Sequence, residues 1–136
     1  QLGDIARGGY VLRQPKGEPE AIVIATGSEV GLAMEAAELL EREGTAVRVV
    51  SMPSTDVFDA QDETYRDSVL PPAVTARVAI EAGIPDLWRK YVGLDGEVMG
   101  IDTFGESGAA EDVFAHFGFT PERLAERVRR VLAVRS

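Results

Sequence analysis

Apolar and polar positions change their period sharply between Ala21 and Leu40, AIVIATGSEVGLAMEAAELL. Ala21 to Ala25 is continuously apolar and rich in β-branched side chains, the pattern of a strand buried on both faces. Gly27 permits a sharp turn, and Ser28 is a suitable N-cap for a helix. Beyond it Val30, Ala33, Met34, Ala37 and Leu40 recur on one helical face, with Glu35, Glu38, Glu41 and Arg42 on the other. Gly44 stops that helix, and Ala46–Val50 reads as a second buried strand. The unit is β-α-β.

Towards the N-terminus, Tyr10–Arg13 predicts a short strand and Pro15-Lys16-Gly17-Glu18-Pro19 a turn. That order predicts an antiparallel hairpin with Ala21–Ala25, and hence an edge strand on an otherwise parallel sheet. Towards the C-terminus, Pro53 ends the second parallel strand and Thr55 or Asp56 is placed to cap a short turn. Gln61–Ser68 reads as a short helix stopped by Pro71-Pro72. Thr75–Ile80 alternates as a third parallel strand, with Glu81-Ala82-Gly83 at its carboxyl end. Pro85–Val92 predicts a short helix, Gly93–Gly96 a turn and Glu97–Ile101 the last strand. A Gly/Ser loop, Asp102–Ala109, leads to a helix over Ala110–Phe117 that Gly118 ends. Thr120-Pro121-Glu122 starts a final helix, which docks through Leu124, Val128 and Val131 or Leu132. The predicted fold class is α/β, one domain with about five strands.

Charge narrows the partners. The chain of 136 residues carries a formal net charge of −9, which opposes a nucleic-acid or anionic-membrane partner. The one basic stretch, Arg123 to Arg135, alternates with Glu126, sits where a helix C-terminus favours cations and reads as a solvated face. With no cysteine there is no disulfide, thiolate metal site or cysteine nucleophile. No apolar run approaches the roughly 20 residues of a membrane span, no signal peptide is visible, and a cytoplasmic location is expected. The first residue is Gln1 rather than methionine, which is expected of a piece of a longer chain.

In open α/β sheets ligands gather at the carboxyl ends of the strands. The segments expected there are Thr26–Glu29, Ser51–Ser54, Glu81–Gly83 and Asp102–Ser107, with Ser28, Ser54, Glu81 and Ser107 as candidate residues of a regulatory cleft. The first loop lacks the G-x-G-x-x-G spacing and the Walker lysine, and Glu29 would repel a phosphate at the helix start. Glu81, Asp102 and Glu106 are possible acid/base groups, but no nucleophile or metal motif accompanies them. His116 is the sole histidine, too few for a histidine-based zinc site, and no serine stands in a G-x-S-x-G context. Trp88 and Tyr91, three apart, suit packing against a core or partner. By residue chemistry alone the chain has no self-sufficient active site and no catalytic, cofactor-binding or metal-ligating residue.

Several runs resemble one family. IARGGYVL (Ile5–Leu12), IATGSEV (Ile24–Val30), VSMPSTDVFDAQDETYRDSVL (Val50–Leu70), VAIEAG (Val78–Gly83), WRKYVGLDG (Trp88–Gly96) and FGES (Phe104–Ser107) all resemble the C-terminal domain of bacterial-type transketolases. The resemblance implies a mixed five-stranded sheet with four parallel strands and one antiparallel strand. It makes residues 1–9 the linker from a preceding pyrimidine-binding domain, and residues 10–136 the C-terminal domain. It further implies a parent homodimer that transfers a two-carbon ketol unit between sugar phosphates in the pentose phosphate pathway. Thiamine diphosphate and a divalent cation, magnesium or calcium, would serve the parent from its upstream domains, with no cofactor in this segment and no activity from it alone. One departure is Gly108-Ala109, where the family commonly has Ala-Pro. Two alternatives stand beside this reading: a small-ligand regulatory module built on the strand-end cleft, and the same domain from a dihydroxyacetone synthase-like enzyme. Trp88, Tyr91 and Phe104 are the residues expected on an apolar face that the preceding domains would cover.

Overall fold

The computed structural model describes residues 7–26, 29–81, 89–93, 96–100 and 120–135. Within them the chain runs β1 (Tyr10–Arg13), β2 (Ala21–Ala25), α1 (Glu29–Arg42), β3 (Val47–Ser51), α2 (Thr55–Asp59), α3 (Glu63–Val69), β4 (Arg77–Glu81), α4 (Arg89–Val92), β5 (Glu97–Gly100) and α5 (Pro121–Arg135). The five strands form one sheet in the order β1-β3-β2-β4-β5. Four are parallel, and β1 lies antiparallel at the edge.

The antiparallel edge strand is as expected, but its partner is not. β1 pairs with β3, through Tyr10↔Ser51, Val11↔Val50 and Arg13↔Val49, and makes no hairpin with β2. The reason lies in β2. All five of its residues are buried, so it takes a parallel neighbour on each side, β3 on one and β4 on the other. The Pro/Gly turn reverses the chain widely enough for β3 to enter between the two predicted hairpin arms. The register shifts between Val11 and Arg13, a bulge in the edge strand.

Because side chains alternate along a strand, β2 supplies two cores. Ala21, Val23 and Ala25 face Val47, Val49, Val78 and Ile80, under Ala33, Ala36, Ala37 and Leu40 of α1 and Leu124, Ala125, Val128 and Val131 of α5. Ile22 and Ile24 belong to the other core, with Val50, Ala79, Met52, Phe58, Val69, Leu70, Tyr91 and Val92. The result is helix, sheet and helix in three layers.

The helix starts follow local chemistry. Thr120 caps α5 as expected, its hydroxyl accepting from the Arg123 N–H at 3.2 Å. For α2 the cap is Ser54, not Thr55 or Asp56, and α3 starts at Glu63 because Asp62 accepts from the Tyr65 N–H at 2.8 Å. Gly44 ends α1 at φ +92°, a left-handed conformation that glycine adopts without a Cβ penalty. The expected helix over Ala110–Phe117 lies outside the described residues.

Candidate functional site

The chain passes from β2 to β3 on one side and then returns to the other side of β2 for β4. The crevice between the carboxyl ends of β2 and β4 is therefore the topological switch point. At its described margin the Glu29 N–H donates to the Thr26 carbonyl at 3.2 Å, and the Met52 N–H to the Ala25 carbonyl at 2.9 Å. Glu29 and Ser51 are the buried polar residues of this edge, each 7% exposed. The Glu29 carboxylate stands in the first turn of α1, where the helix N-terminus favours a negative charge.

Of the four candidate cleft residues, Ser54 alone has a described side chain. Its hydroxyl accepts from the Val57 N–H at 3.4 Å, so the side chain is engaged in capping α2. Ser28 and Ser107 lie outside the described residues, as do Trp88, Asp102, Phe104, Glu106, Gly108, Ala109 and His116. Glu81 is described as backbone at the end of β4. Tyr91 takes the core placement its spacing suits and not the exposed apolar face: it is buried in the second core, and its hydroxyl donates to Asp59 Oδ1 at 2.8 Å.

A different feature dominates the helix-covered face of α2, α3 and α4. A cavity of about 390 Å³ is lined by Phe58, Asp59, Arg66, Asp67, Leu70, Pro72, Arg77 and Tyr91. Arg77, the first residue of β4, is spread across its wall. Its Nε donates to the Val74 carbonyl at 2.8 Å and its Nη1 to that of Tyr91 at 2.7 Å. Its Nη2 reaches the carbonyls of Pro71 at 2.7 Å and Leu70 at 3.2 Å. Burial lowers the Arg77 pKa from its ordinary value, and the nearby Asp67 carboxylate acts against that shift.

Arg48 does the same on β3. Its Nη1 donates to the carbonyls of Ser68 at 2.9 Å and Val69 at 3.0 Å, and its Nε to Gln14 Oε1 at 2.8 Å. Burial lowers this pKa too, opposed by Glu18. Both arginines stand beside Ile22 in the strand register, one on each side of β2. They donate to carbonyls at the end of a short helix and in the proline loop after it, where intrahelical donors run out. Sequence reasoning missed them. The available signal was a lone arginine inside each of two apolar strands, where a charge is retained only with dedicated partners.

The arginines of α5 are also more than a solvated face. Arg127 reaches Glu97 at 3.1 Å, Arg130 reaches the same carboxylate at 2.6 Å, and Arg129 pairs with Glu43. The hydrogen bond from Arg130 is the main influence holding the Glu97 carboxyl below its usual range, against burial and with help from both positive charges. The hydrogen bond from Arg129 likewise lowers Glu43. These pairs join the last helix to β5 and to the end of α1.

Chemically, the described residues hold and position backbone. Among them no group of three or more His, Cys, Asp or Glu side chains could hold a metal ion. No helix among them is long and apolar enough to cross a membrane.

Residues 8–120 match the family described as the transketolase-like TK C-terminal domain. The chain is 60% identical over 133 residues to transketolase 2 of Aliivibrio fischeri, covering 98% of this chain and 20% of that one. It is 61% identical over 132 residues to transketolase 1 of Escherichia coli K12, covering 97% and 20%. Among solved structures, the Pichia stipitis transketolase in complex with sedoheptulose-7-phosphate superposes with a TM-score of 0.88 at 38% identity, over 98% of this chain and 19% of that one. The chain thus spans about a fifth of the length of the curated relatives it matches.

Proposed function

The chain belongs to the transketolase-like C-terminal domain family, and from that premise we propose that it serves as the C-terminal domain of a bacterial transketolase. The parent transfers a two-carbon ketol unit from a ketose phosphate to an aldose phosphate, in the pentose phosphate pathway of the cytoplasm. One observation carries this reading: a collinear match over 98% of the chain to a protein named transketolase, of which it covers 20%.

In the parent, thiamine diphosphate held with magnesium or calcium supplies the carbanion chemistry. The described residues of this chain do not fit that group, having no metal-ligand cluster among them, so no step of the reaction is assigned to them. The chain's part is structural. It folds as a sheet with both faces covered, is joined by residues 1–9 to the preceding domain and adds to the body of a homodimer. Alone it is inactive.

The test is ketol transfer from xylulose 5-phosphate to ribose 5-phosphate, with thiamine diphosphate and magnesium supplied. It is run on this chain and on the longer protein that contains it. Turnover by the longer protein alone is the expected result. Turnover by this chain would overturn the accessory role, and silence from both would overturn the proposed parent activity.

A further inference from the structure

Arg7, Gly8 and Gly9 come before the first strand, where the sequence reads as the end of a linker. They are nonetheless fixed to α2 and α3. The Gly8 carbonyl accepts from the Ser54 N–H at 2.9 Å. The Gly9 carbonyl accepts from the Tyr65 hydroxyl at 2.7 Å. The Arg7 guanidinium lies over the Tyr65 ring, 4.6 Å from its centroid, in cation–π range.

The two glycines are required by space as well as by conformation. Both are buried. Gly8 has φ +86°, and a Cβ there would overlap the backbone at Ser54 and Phe58. A Cβ on Gly9 would stand 2.5 Å from Met52 Sδ and 2.8 Å from the Phe58 ring. Phe58 is itself 2% exposed and belongs to the second core, so it has little room to yield.

We propose that Arg7–Gly9 is a keyed strap that fixes the point at which the preceding polypeptide leaves the domain, on the face of α2 and α3. The strap is then part of the folded unit, although the sequence reads it as linker. The partner of this surface is the chain's own preceding segment. Only the existence of that preceding domain rests on the function proposed above; the strap itself is a property of this chain.

Amide hydrogen exchange by NMR on the 136-residue chain tests it. The reporter is the Ser54 N–H, whose partner is the Gly8 carbonyl. Gly8→Ala should accelerate Ser54 exchange about tenfold or more, from the left-handed penalty and the overlap together. Tyr65→Phe, which deletes one hydroxyl donor, should accelerate it about fivefold. Gly17→Ala, with nothing within 4 Å of the added methyl, should leave it unchanged. Amides of Val23 and Val49 in the first core report whether each variant is still folded. A Ser54 amide that exchanges at the unprotected rate in the unaltered chain would overturn the strap. So would a rate unmoved by Gly8→Ala while the core stays protected. If Gly8→Ala unfolds the core, an unmoved rate in Tyr65→Phe overturns it instead. None of these readings involves ketol transfer, so the strap and the proposed parent activity fail separately.

Discussion

The two faces of the sheet are covered by different means. On the first, α1 and α5 are long, and Ala33, Ala36, Ala37 and Ala125 are fully buried at their seams with the strands. Small side chains let helix and sheet backbones approach closely, so the layer closes with apolar contact and keeps its ion pairs at the rim. On the second face, among the described residues, three short helices cover the strands, and aromatic rings join the aliphatic filling. The Phe58 ring centroid lies 6.2 Å from that of Tyr65 and 6.3 Å from that of Tyr91. Short helices leave a large share of their carbonyls without intrahelical partners. Arg48 and Arg77 supply the donors, and two positive charges are partly buried as a result. One sheet is thus sealed by packing on one side and by hydrogen bonding on the other. The cavity stands on the side where rings and guanidinium groups meet less closely.

Three substitutions sharpen that contrast, and denaturation curves read them all. Leu124→Ala acts on the first face, where Leu124 of α5 is fully buried in the first core. It should cost about 3 kcal/mol, since a closely packed layer cannot collapse around the lost volume. A loss below about 1 kcal/mol would mean that this face is looser than its burial indicates.

Arg77→Leu acts on the second. It preserves much of the apolar stem but removes the guanidinium bonds to the carbonyls of Leu70, Pro71, Val74 and Tyr91. A cost of about 2 kcal/mol is expected, from carbonyls left unsatisfied in a half-buried site. Arg77→Lys should recover only part of it, because an ammonium cannot span the same fork. Full recovery with lysine would show that charge rather than geometry holds this loop.

The smallest effect belongs to the rim. Glu97→Gln weakens contacts with Arg127 and Arg130, and should cost less than about 1 kcal/mol because the partners are substantially exposed. The folded Glu97 carboxyl binds a proton less readily than the unfolded one. Its contribution is therefore present in full above the unfolded pKa of about 4.3, and is lost as the pH falls through the lower, folded value. The stability gap between the unaltered chain and the Glu97→Gln variant should accordingly shrink on acidification below about pH 4.3. A gap independent of pH would locate the effect in packing.

Elements with a long, regular period were legible in the sequence. The apolar run of β2, the amphipathic face of α1 and the Thr120-Pro121 start of α5 all specify their structure locally. The partner of β1 was not legible, since it depends on β3 arriving from far along the chain, as the pair Tyr10↔Ser51 shows. That Ser54 caps α2 was not legible either, because sequence position alone does not distinguish a loop serine from an N-cap. The cavity was hidden for a related reason. Its walls come from α2, α3, α4 and the start of β4, and no local period marks residues that converge only after folding.

The irregular register between Val11 and Arg13 bears on how this domain behaves in a crowded solution. β1 is the outer strand, and a straight outer strand offers a row of peptide groups to any neighbour that can align with it. An extra residue interrupts that row, while the Arg13 side chain is held by Glu41 of α1. A second molecule approaching edge to edge meets a twisted ladder with its rungs out of step. The kink that looks like a flaw in one strand acts as a guard against fibrous stacking.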